Sequence, residues 1–276
     1  MPSGEQQTDA TIRIAVVGAA GRMGREVLRS LSPHEGYEPV VAVDRICVGD
    51  NVRDLLEAKE PDLVIEDRLA AALDRARPDV MVDFTHHSAA AQHAQIALKR
   101  GISPVIGTTG MTVADLRELQ AESRDTGVPG LYAPNFAIGG VLMMHFAEMA
   151  ARWMPDAEII EMHHDRKEDA PSGTAMLTAE RIAAGRVAKP ATKPAPHFKV
   201  EGVRGGTFQE VGIHSVRLPG LLAHQMVLFG SEGETLTIRH DSMDRSSFMR
   251  GLKLAVREVR GLDGFAIGLG SILFRE

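Results

Sequence analysis

Cysteine is nearly absent from this sequence. Cys47 is the only one in 276 residues, so the chain cannot form an internal disulfide. A zinc site built from four cysteines is excluded for the same reason. Hydrophobic residues make up 44% and charged residues 25%, which are ordinary values for a globular protein with a hydrophobic core. The length is sufficient for two domains.

The sequence also lacks a long block of one charge sign and a long hydrophobic run. The formal net charge is -6, which disfavours nucleic acid or an anionic membrane surface as the main partner. The longest apolar stretch, residues 141–154, contains His145, Glu148 and Arg152 and is too short to span a bilayer. Residues 1–10 lack the features of a secretory signal and are interpreted as a solvated tail. We expect a cytoplasmic protein.

Residues 12–135 alternate short apolar runs with amphipathic helical segments. The runs are continuously apolar, which is typical of parallel strands covered on both faces. Helices between such strands indicate an α/β fold with a Rossmann-like, doubly wound parallel sheet. The predicted strands cover 12–18, 39–44, 79–85, 103–109 and 127–133.

The pattern changes after Asn135. It predicts a helix over roughly 138–153, a strand over 157–164 and a helix over about 174–184. Gly185 is predicted to end the last of these helices as a C-cap. This segment indicates an inserted α+β domain.

The rest of the chain continues this second pattern. A Pro- and Lys-rich loop is expected at 188–197. Segments between 198 and 240 alternate apolar and polar residues, as antiparallel strands with one exposed face do. A final helix over roughly 245–260 is predicted to close the sequence. The expected domains are therefore 1–135, 136–244 and a return to the first domain at 245–276.

The stretch "VVGAAGRMGRE" places three glycines, Gly18, Gly21 and Gly24, where the first strand ends and the first helix begins. Glycine at such a turn lets the backbone approach a pyrophosphate, whose charge the amides at the helix N-terminus stabilise. Ala20 occupies the position of the second glycine in the more usual G-x-G-x-x-G spacing. The alternative is a turn that packs helix on strand without a ligand.

Asp44 ends the second predicted strand, twenty residues after Gly24. An acidic side chain at this distance accepts hydrogen bonds from an adenosine ribose. Arg45 follows it and Arg22 lies in the glycine turn, so cations are present for a 2'-phosphate. We predict a nicotinamide dinucleotide, either NADH or NADPH.

Two further loops follow predicted strands: "GTTG" at 107–110 and "APNF" at 133–136. Ligands of open α/β sheets bind outside the carboxyl ends of the strands. Both loops are therefore placed to contact the nicotinamide half of the cofactor, although ordinary turns would have the same composition.

The stretch "EMHHDRKEDAPSGTA", residues 161–175, concentrates titratable side chains before a predicted helix. Zinc binding by His163, His164 and Asp169 is disfavoured, because neighbouring strand residues point to opposite faces and no thiolate is near. The Pro-Ser-Gly-Thr segment is typical of a helix N-terminus that binds a carboxylate or phosphate. With Lys167 and the imidazoles, the stretch predicts an anion-binding site for proton transfer.

The same fifteen residues resemble the E-x-H-H-x-x-K-x-D-x-P-S-G-T-A motif of the 4-hydroxy-tetrahydrodipicolinate reductase family, also called dihydrodipicolinate reductase. The resemblance covers nearly the whole chain and includes "GAAGRMGR", "DFT", "GTTG", "APNFAIG" and "DRSSF". His87 stands where the family has proline, and the "HDSMDRSSF" segment departs from the commoner pattern but keeps Arg245 and Phe248.

The resemblance implies an NAD(P)H-dependent reductase of the diaminopimelate route to lysine. In this family hydride goes to ring C4 of a dicarboxylate substrate and a proton goes to C3. The second domain would bind substrate and mediate assembly into a homotetramer, without nucleic acid, membrane or metal. The alternatives are a non-catalytic dinucleotide sensor and another small dehydrogenase.

Site residues are carried over position by position. His163 would be the general acid and Lys167 a second proton donor that also binds substrate. The other implied substrate-binding residues are His164, Ser172, Gly173, Thr174, Thr109 and Arg245. The predicted cofactor-binding residues are Gly18, Ala19, Ala20, Gly21, Arg22, Met23, Gly24, Asp44, Arg45, Gly107, Thr108, Thr109, Ala133, Pro134, Asn135 and Phe136.

Overall fold

The structure, a computed structural model, describes residues 11–190 and 197–275. The predicted tail and most of the predicted loop at 188–197 lie outside these residues. The chain divides into two units: unit 1 runs up to Phe136 and resumes at Phe248, and unit 2 is Ala137–Ser247. The predicted limits at 135 and 244 differ from these by one and three residues, and the roles assigned to the domains remain predictions.

Strands and helices alternate in the first part of unit 1. The strands are β1 Ile12–Val17, β2 Tyr37–Val43, β3 Ile65–Glu66, β4 Val80–Asp83, β5 Ser103–Ile106 and β6 Gly130–Tyr132. The helices are α1 Arg22–Ser30, α2 Val52–Leu56, α3 Leu69–Ala76, α4 His87–Leu98 and α5 Val113–Thr126. The sequence did not predict β3, because two residues give no recognisable apolar run.

Unit 2 contains two longer helices and a second set of strands. Its elements are α6 Ile138–Ala150, β7 Asp156–His163, α7 Gly173–Gly185, β8 Gly206–Phe208, β9 Val211–Arg217, β10 Ala223–Ser231 and β11 Glu234–Ser242. The C-cap prediction for Gly185 was wrong, because Gly185 is the last helical residue of α7. A Cβ atom at Gly185 would lie 2.2 Å from the backbone oxygen of Glu148, so the glycine is needed for close packing of α7 on α6.

The chain returns to unit 1 through more structure than the sequence predicted. A short 3-10 helix, Arg245–Phe248, precedes α8 Met249–Glu258. A strand, β12 Phe265–Ile267, and a short helix, α9 Gly270–Leu273, then follow. The prediction that the helix over 245–260 is the last element was therefore wrong. β12 lies beside β6, and its three residues are too few to show a strand period.

The sheet of unit 1 has the strand order β12-β6-β5-β4-β1-β2-β3, and every pairing is parallel. The predicted doubly wound parallel sheet is thus confirmed. The chain order reverses between β1 and β4, which is the position where such sheets bind ligands. The residues that pair between these two strands are fully buried, since Ile14–Val17 and Val80–Asp83 are at most 1% exposed. Burial of this apolar surface is the main stabilising contribution to the unit.

The sheet of unit 2 has the order β11-β10-β7-β9-β8. β10 is antiparallel to β11 and to β7, as predicted, but β9 runs parallel to β7. β9 is antiparallel to β8, as predicted, so only its pairing with β7 departs from the antiparallel arrangement. The polarity pattern does not distinguish parallel from antiparallel neighbours. The parallel pairing places Arg217 directly beside His163.

The two faces of this second sheet differ. Ala157, Ile159 and Glu161 are buried on the face against which α7 packs. The opposite face carries four apolar side chains that are only partly buried: Ile160, Met162, Met226 and Leu228. Their positions alternate with the buried positions along β7 and β10.

Within residues 11–190 and 197–275, no helix has the length and apolar character needed to cross a membrane.

Candidate active site

The glycine turn after β1 requires glycine at two positions. Gly18 has φ +80°, and a Cβ atom there would lie 3.0 Å from the backbone oxygen of Phe84. A Cβ atom at Gly24 would lie 2.0 Å from the backbone oxygen of Gly18. Glycine at both positions therefore lets α1 start directly over the end of β1.

The first turn of α1 has no side-chain cap. Gly21 is the N-cap residue and has no side chain to accept a hydrogen bond from the amides that follow it. The amides of Arg22, Met23 and Gly24 are at the positions that lack acceptors inside a helix. Together with the helix dipole, they suit an anion such as a pyrophosphate.

Asp44 binds the glycine turn to the end of β2. One carboxylate oxygen accepts from the amide of Ala20 at 2.9 Å, and the other accepts from the amides of Arg45 and Ile46. Gly18, Gly21, Asp44 and Arg45 line one cavity of about 600 Å³ in unit 1. The cavity brings these four predicted cofactor residues together.

The "GTTG" and "APNF" loops lie at the same edge of the sheet. Gly107 follows β5, and a Cβ atom there would lie 2.1 Å from the ring of Phe84. Phe136, after β6, is 2% exposed and packs its ring on Phe84 with the centroids 5.9 Å apart. The remaining predicted residues of these loops, Thr108, Thr109, Ala133, Pro134 and Asn135, follow the carboxyl ends of β5 and β6.

Sequence reasoning missed two residues of this cavity region. Asp83, at the end of β4, is fully buried, and one of its oxygens accepts from the amide and hydroxyl of Thr85. Its other oxygen lies 2.8 Å from Nδ1 of His93, which lines the cavity from α4. Asp83 ends a strand and His93 lies in the following helix, and their separation in the sequence matches no motif that would have indicated the contact.

The charged stretch of unit 2 is organised around Glu161. This residue is fully buried, and its two oxygens accept from both terminal nitrogens of Arg217 at 2.8 and 2.9 Å. The Nδ1 atom of His163 lies 2.6 Å from Oε2 of Glu161. Burial raises the pKa of the Glu161 carboxyl group, but hydrogen bonds from His163 and Arg217 outweigh burial and lower it to about 2. We call these three residues the Glu161 cluster.

The two adjacent histidines have different surroundings. β7 ends at His163, whose side chain lies on the same face of the strand as Glu161. His164 follows the strand, and its Nδ1 atom is buried without a hydrogen-bond partner among the described residues. A buried polar atom of this kind is a candidate for contact with a ligand.

The start of α7 is attached to the Glu161 cluster. The amide of Ser172 donates to Oε1 of Glu161 at 3.3 Å, and its hydroxyl accepts from the amide of Ala175 as the N-cap. The amides of Gly173 and Thr174 lie in the first turn, where a helix provides no internal acceptor. Ser172 is thus a structural cap, while Gly173 and Thr174 present donors.

Lys167 lies in the loop between β7 and α7. Its Nζ atom is 2.7 and 2.9 Å from the two oxygens of Asp169, and its hydrogen bond lowers the pKa of Asp169 below the ordinary value. Arg217 also donates to the backbone oxygen of Asp169 at 2.8 Å. The cluster therefore fixes the position of this loop.

Arg245 lies apart from these contacts. It starts the 3-10 helix Arg245–Phe248, and the described hydrogen bonds and ion pairs do not connect it to Glu161, His163 or Lys167. Among residues 11–190 and 197–275, no group of three or more His, Cys, Asp or Glu side chains is placed to hold a metal ion.

The parallel sheet, the glycine turn at its switch point and Asp44 after β2 are typical of an α/β protein that binds a dinucleotide. Two family models, described as the N-terminus and the C-terminus of dihydrodipicolinate reductase, match residues 12–136 and 139–273. The chain therefore belongs to the dihydrodipicolinate reductase family.

Individual relatives agree with this assignment. The chain is 51% identical to a 4-hydroxy-tetrahydrodipicolinate reductase of Moorella thermoacetica, over 96% of this chain and 98% of the relative. It is 45% identical to the Bacillus pumilus enzyme of the same name, over 96% and 99% of the two chains. A solved structure of dipicolinate-bound dihydrodipicolinate reductase from Paenisporosarcina sp. TG-14 is 40% identical, with a TM-score of 0.84 over 95% and 99% of the chains.

The predicted family, fold class and enzyme class are thus confirmed. The chain is an oxidoreductase with a nicotinamide cofactor, and its reaction is a reduction in the diaminopimelate route to lysine. Its glycine turn, uncapped helix start and Asp44 fit a dinucleotide in unit 1.

Proposed function

We propose that this chain reduces 4-hydroxy-tetrahydrodipicolinate with His163 as the proton donor and with the substrate carboxylates held at the start of α7. The observation that carries the proposal is the Glu161 cluster, which holds His163 beside the loop containing Lys167 and the first turn of α7. A proton donor, a cation and free amides are thereby collected in one part of unit 2.

The overall reaction replaces the ring hydroxyl of the substrate by hydrogen. Loss of water leaves a conjugated imine, and ring C4 would receive hydride from a reduced nicotinamide held by the glycine turn and Asp44 of unit 1. The resulting enamine then takes a proton at C3. One hydride and one proton are consumed and one water is released.

His163 is the proposed general acid. Its Nδ1 atom faces Glu161, so Nε2 is the nitrogen that is available to donate to C3. Lys167 is the proposed second donor, and it also binds a substrate carboxylate. In the structure the Lys167 ammonium group pairs with the exposed carboxylate of Asp169, which supports the proposal that it can pair with a substrate carboxylate.

The proposed anion site uses backbone and side-chain donors. The amides of Gly173 and Thr174, the Thr174 hydroxyl and the buried Nδ1 of His164 are the proposed groups of unit 2. The Ser172 hydroxyl already accepts from the amide of Ala175, and its proposed contribution is the hydrogen that it can still donate. Thr109 and Arg245 remain predicted substrate contacts. The Paenisporosarcina relative binds dipicolinate, a planar ring with two carboxylates, which supports a dicarboxylate substrate here.

The proposed cofactor contacts are those of the glycine turn, Asp44, Arg45 and the loops at 107–109 and 133–136. Asp44 is proposed to accept from the adenosine ribose, and Arg45 to bind the 2'-phosphate when the cofactor is NADPH. The proposed cofactor is either NADH or NADPH.

The test is a turnover assay with the cyclic substrate, run in parallel with NADH and NADPH. Lys167→Ala should lower kcat and raise the substrate KM, because an ammonium group that pairs with a carboxylate contributes to ground-state binding as well as to the transition state. Lys199→Ala, which removes an exposed lysine of unit 2, is the matched control and should change neither constant. Near-normal constants for Lys167→Ala would assign the loop a structural role only.

We further propose a homotetramer that assembles through unit 2. An apolar surface lies on the sheet face opposite to α7. It is formed by the partly exposed side chains Ile160, Met162, Met226 and Leu228, whose positions alternate with buried ones along β7 and β10. Light scattering should give four times the mass of one chain, and a monomer at micromolar concentration would contradict this assembly.

A further inference from the structure

A charged residue with no exposed surface lies in the middle of β7. Glu161 is 0% exposed and its neighbours Ile159 and Ala157 on the same face are apolar. Burying an ion pair is often less favourable than filling the same space with hydrophobic side chains. The position of Glu161 is therefore better explained by a role toward the groups that it contacts than by stability.

The contacts of Glu161 divide into two sets. On one side, Arg217 from β9 forms hydrogen bonds to both carboxylate oxygens, and the amide of Ser172 donates to one of them. On the other side, Nδ1 of His163 lies 2.6 Å from Oε2. The guanidinium and the amide can only donate, so they favour the ionised carboxylate. An ionised carboxylate can only accept, so Nδ1 of His163 must carry a hydrogen.

This hydrogen bond determines which nitrogen of His163 exchanges its proton. With a hydrogen fixed on Nδ1, the neutral ring has a lone pair on Nε2, and the charged ring has its second proton there. The Glu161 carboxyl group, with its pKa near 2, stays ionised at neutral pH and does not take the proton from His163. Arg217 thereby keeps the acid function on the imidazole.

We propose that Glu161 is the positioning residue of His163, and that Arg217 holds Glu161 in the orientation and charge state that this role requires. The inference rests on the proposed function, in which His163 donates the proton. Neither Glu161 nor Arg217 contacts the reacting atoms in this proposal, because both act through the imidazole.

The test is a double-mutant cycle measured by kcat and by the substrate KM. His163→Gln should lower kcat by about 10²- to 10⁴-fold. Glu161→Gln should lower kcat by at least about tenfold with less than about a threefold change in KM, because the glutamine oxygen can still accept from the amide of Ser172, whereas its amide nitrogen cannot accept from Nδ1 of His163. The variant that carries both substitutions should be no slower than His163→Gln alone, since residues that act as one unit are non-additive.

Glu158 provides a matched control on the same strand. It also contacts a histidine and an arginine, His214 at 2.8 Å and Arg204, but it points to the opposite face of β7. Glu158→Gln makes the same chemical change without touching His163. Glu158 lies on the face proposed for assembly, so light scattering must first give the wild-type mass for this variant. In such samples Glu158→Gln should leave kcat within about twofold of wild type, because substitutions at partly exposed positions away from the site have small effects.

The outcomes separate the inference from the proposed function. Near-normal turnover of His163→Gln would contradict the proposed function itself. A slow His163→Gln combined with a normal Glu161→Gln, or with losses that multiply in the double variant, would overturn the inference alone.

A measurement on the wild-type chain tests the inference without requiring that Glu161→Gln folds. Nitrogen-15 NMR of the histidine rings, with His163 assigned by its loss in His163→Gln, reports which ring nitrogen carries the hydrogen. We expect the Nδ1–H form for the neutral ring. An Nε2–H form would overturn the inference, even if Glu161→Gln does not fold.

Discussion

Each unit contains a fully buried carboxylate that faces Nδ1 of a histidine, but the two carboxylates are stabilised differently. Asp83 of unit 1 accepts from the amide and hydroxyl of Thr85, only two residues away, and contacts His93. Glu161 of unit 2 accepts from Arg217, which is 56 residues away, and contacts His163. The first arrangement orders its own loop, whereas the second joins separate segments around a permanent positive charge.

The comparison shows how two similar carboxylate–histidine pairs can suit different chemical roles. The guanidinium beside Glu161 provides a full countercharge, so the carboxylate stays ionised when His163 gains or loses a proton. The Thr85 donors beside Asp83 are neutral, and they fix orientation more than charge. The Asp83–His93 pair is accordingly suited to holding a ring against a ligand, and the Glu161–His163 pair to transferring a proton.

The largest expected effect comes from making the same substitution in both pairs. His163→Gln should lower kcat by about 10²- to 10⁴-fold while NADH affinity, measured by fluorescence titration, stays within about threefold. His93→Gln should do the reverse, because His93 lines the dinucleotide cavity. It should weaken NADH binding by about tenfold, or about 1.4 kcal/mol, with kcat at saturating cofactor nearly unchanged. Equal effects of both substitutions on kcat would remove the distinction between the pairs.

Acid should affect unit 2 through Glu161. Its pKa in the folded protein is about 2, below the ordinary value of 4.5, so the unfolded chain takes up the proton first. The resulting stabilisation, on the order of 3 kcal/mol, is fully present above pH 4.5 and is lost as the pH falls from 4.5 toward 2. Urea unfolding followed by circular dichroism should show a smaller loss of stability over this range in Glu161→Gln than in wild type. An identical loss in both would contradict the lowered pKa.

The smallest effect concerns the arginine of the unit 1 cavity. Arg45→Ala should weaken NADPH binding by about tenfold and NADH binding by less than about twofold, because only NADPH has a 2'-phosphate for the guanidinium. Parallel titrations with the two cofactors measure the ratio directly. Arg53→Ala, which removes an exposed arginine of α2, is the control. Equal changes for both cofactors would show that Arg45 does not read the 2'-phosphate.

The sequence predicted the central part of unit 1 because local signals agree there. Continuous apolar runs give the buried parallel strands, and glycines at 18 and 24 stand where no side chain fits. β3 and β12 were missed because two or three residues show no period, and their strand geometry depends on pairing with β2 and β6. Asp83 lay within a recognised motif, but its contact with His93 depends on how α4 returns to the sheet.

In unit 2 the sequence predicted His163 and Lys167 as proton donors but not the residues that contact them. Glu161 lies within the motif, yet its burial could not be inferred from a run of charged neighbours. Arg217 could not be found either, because alternating polarity is the same for parallel and antiparallel neighbours. The register that pairs His163 with Arg217 arises only when β9 lies parallel to β7.

The connection between β7 and α7 is attached by hydrogen bonds at its α7 end and in its middle. Glu161 accepts from the amide of Ser172, and Arg217 donates to the backbone of Asp169, so the segment that carries His164 and Lys167 is a short closed loop. Ordering one backbone residue costs roughly 1–2 kcal/mol of conformational entropy. This segment is already ordered in the folded chain, so no further loss of conformational entropy in it reduces the affinity for substrate. Substrate association should accordingly be a fast, single-step process, without a slow phase from loop ordering.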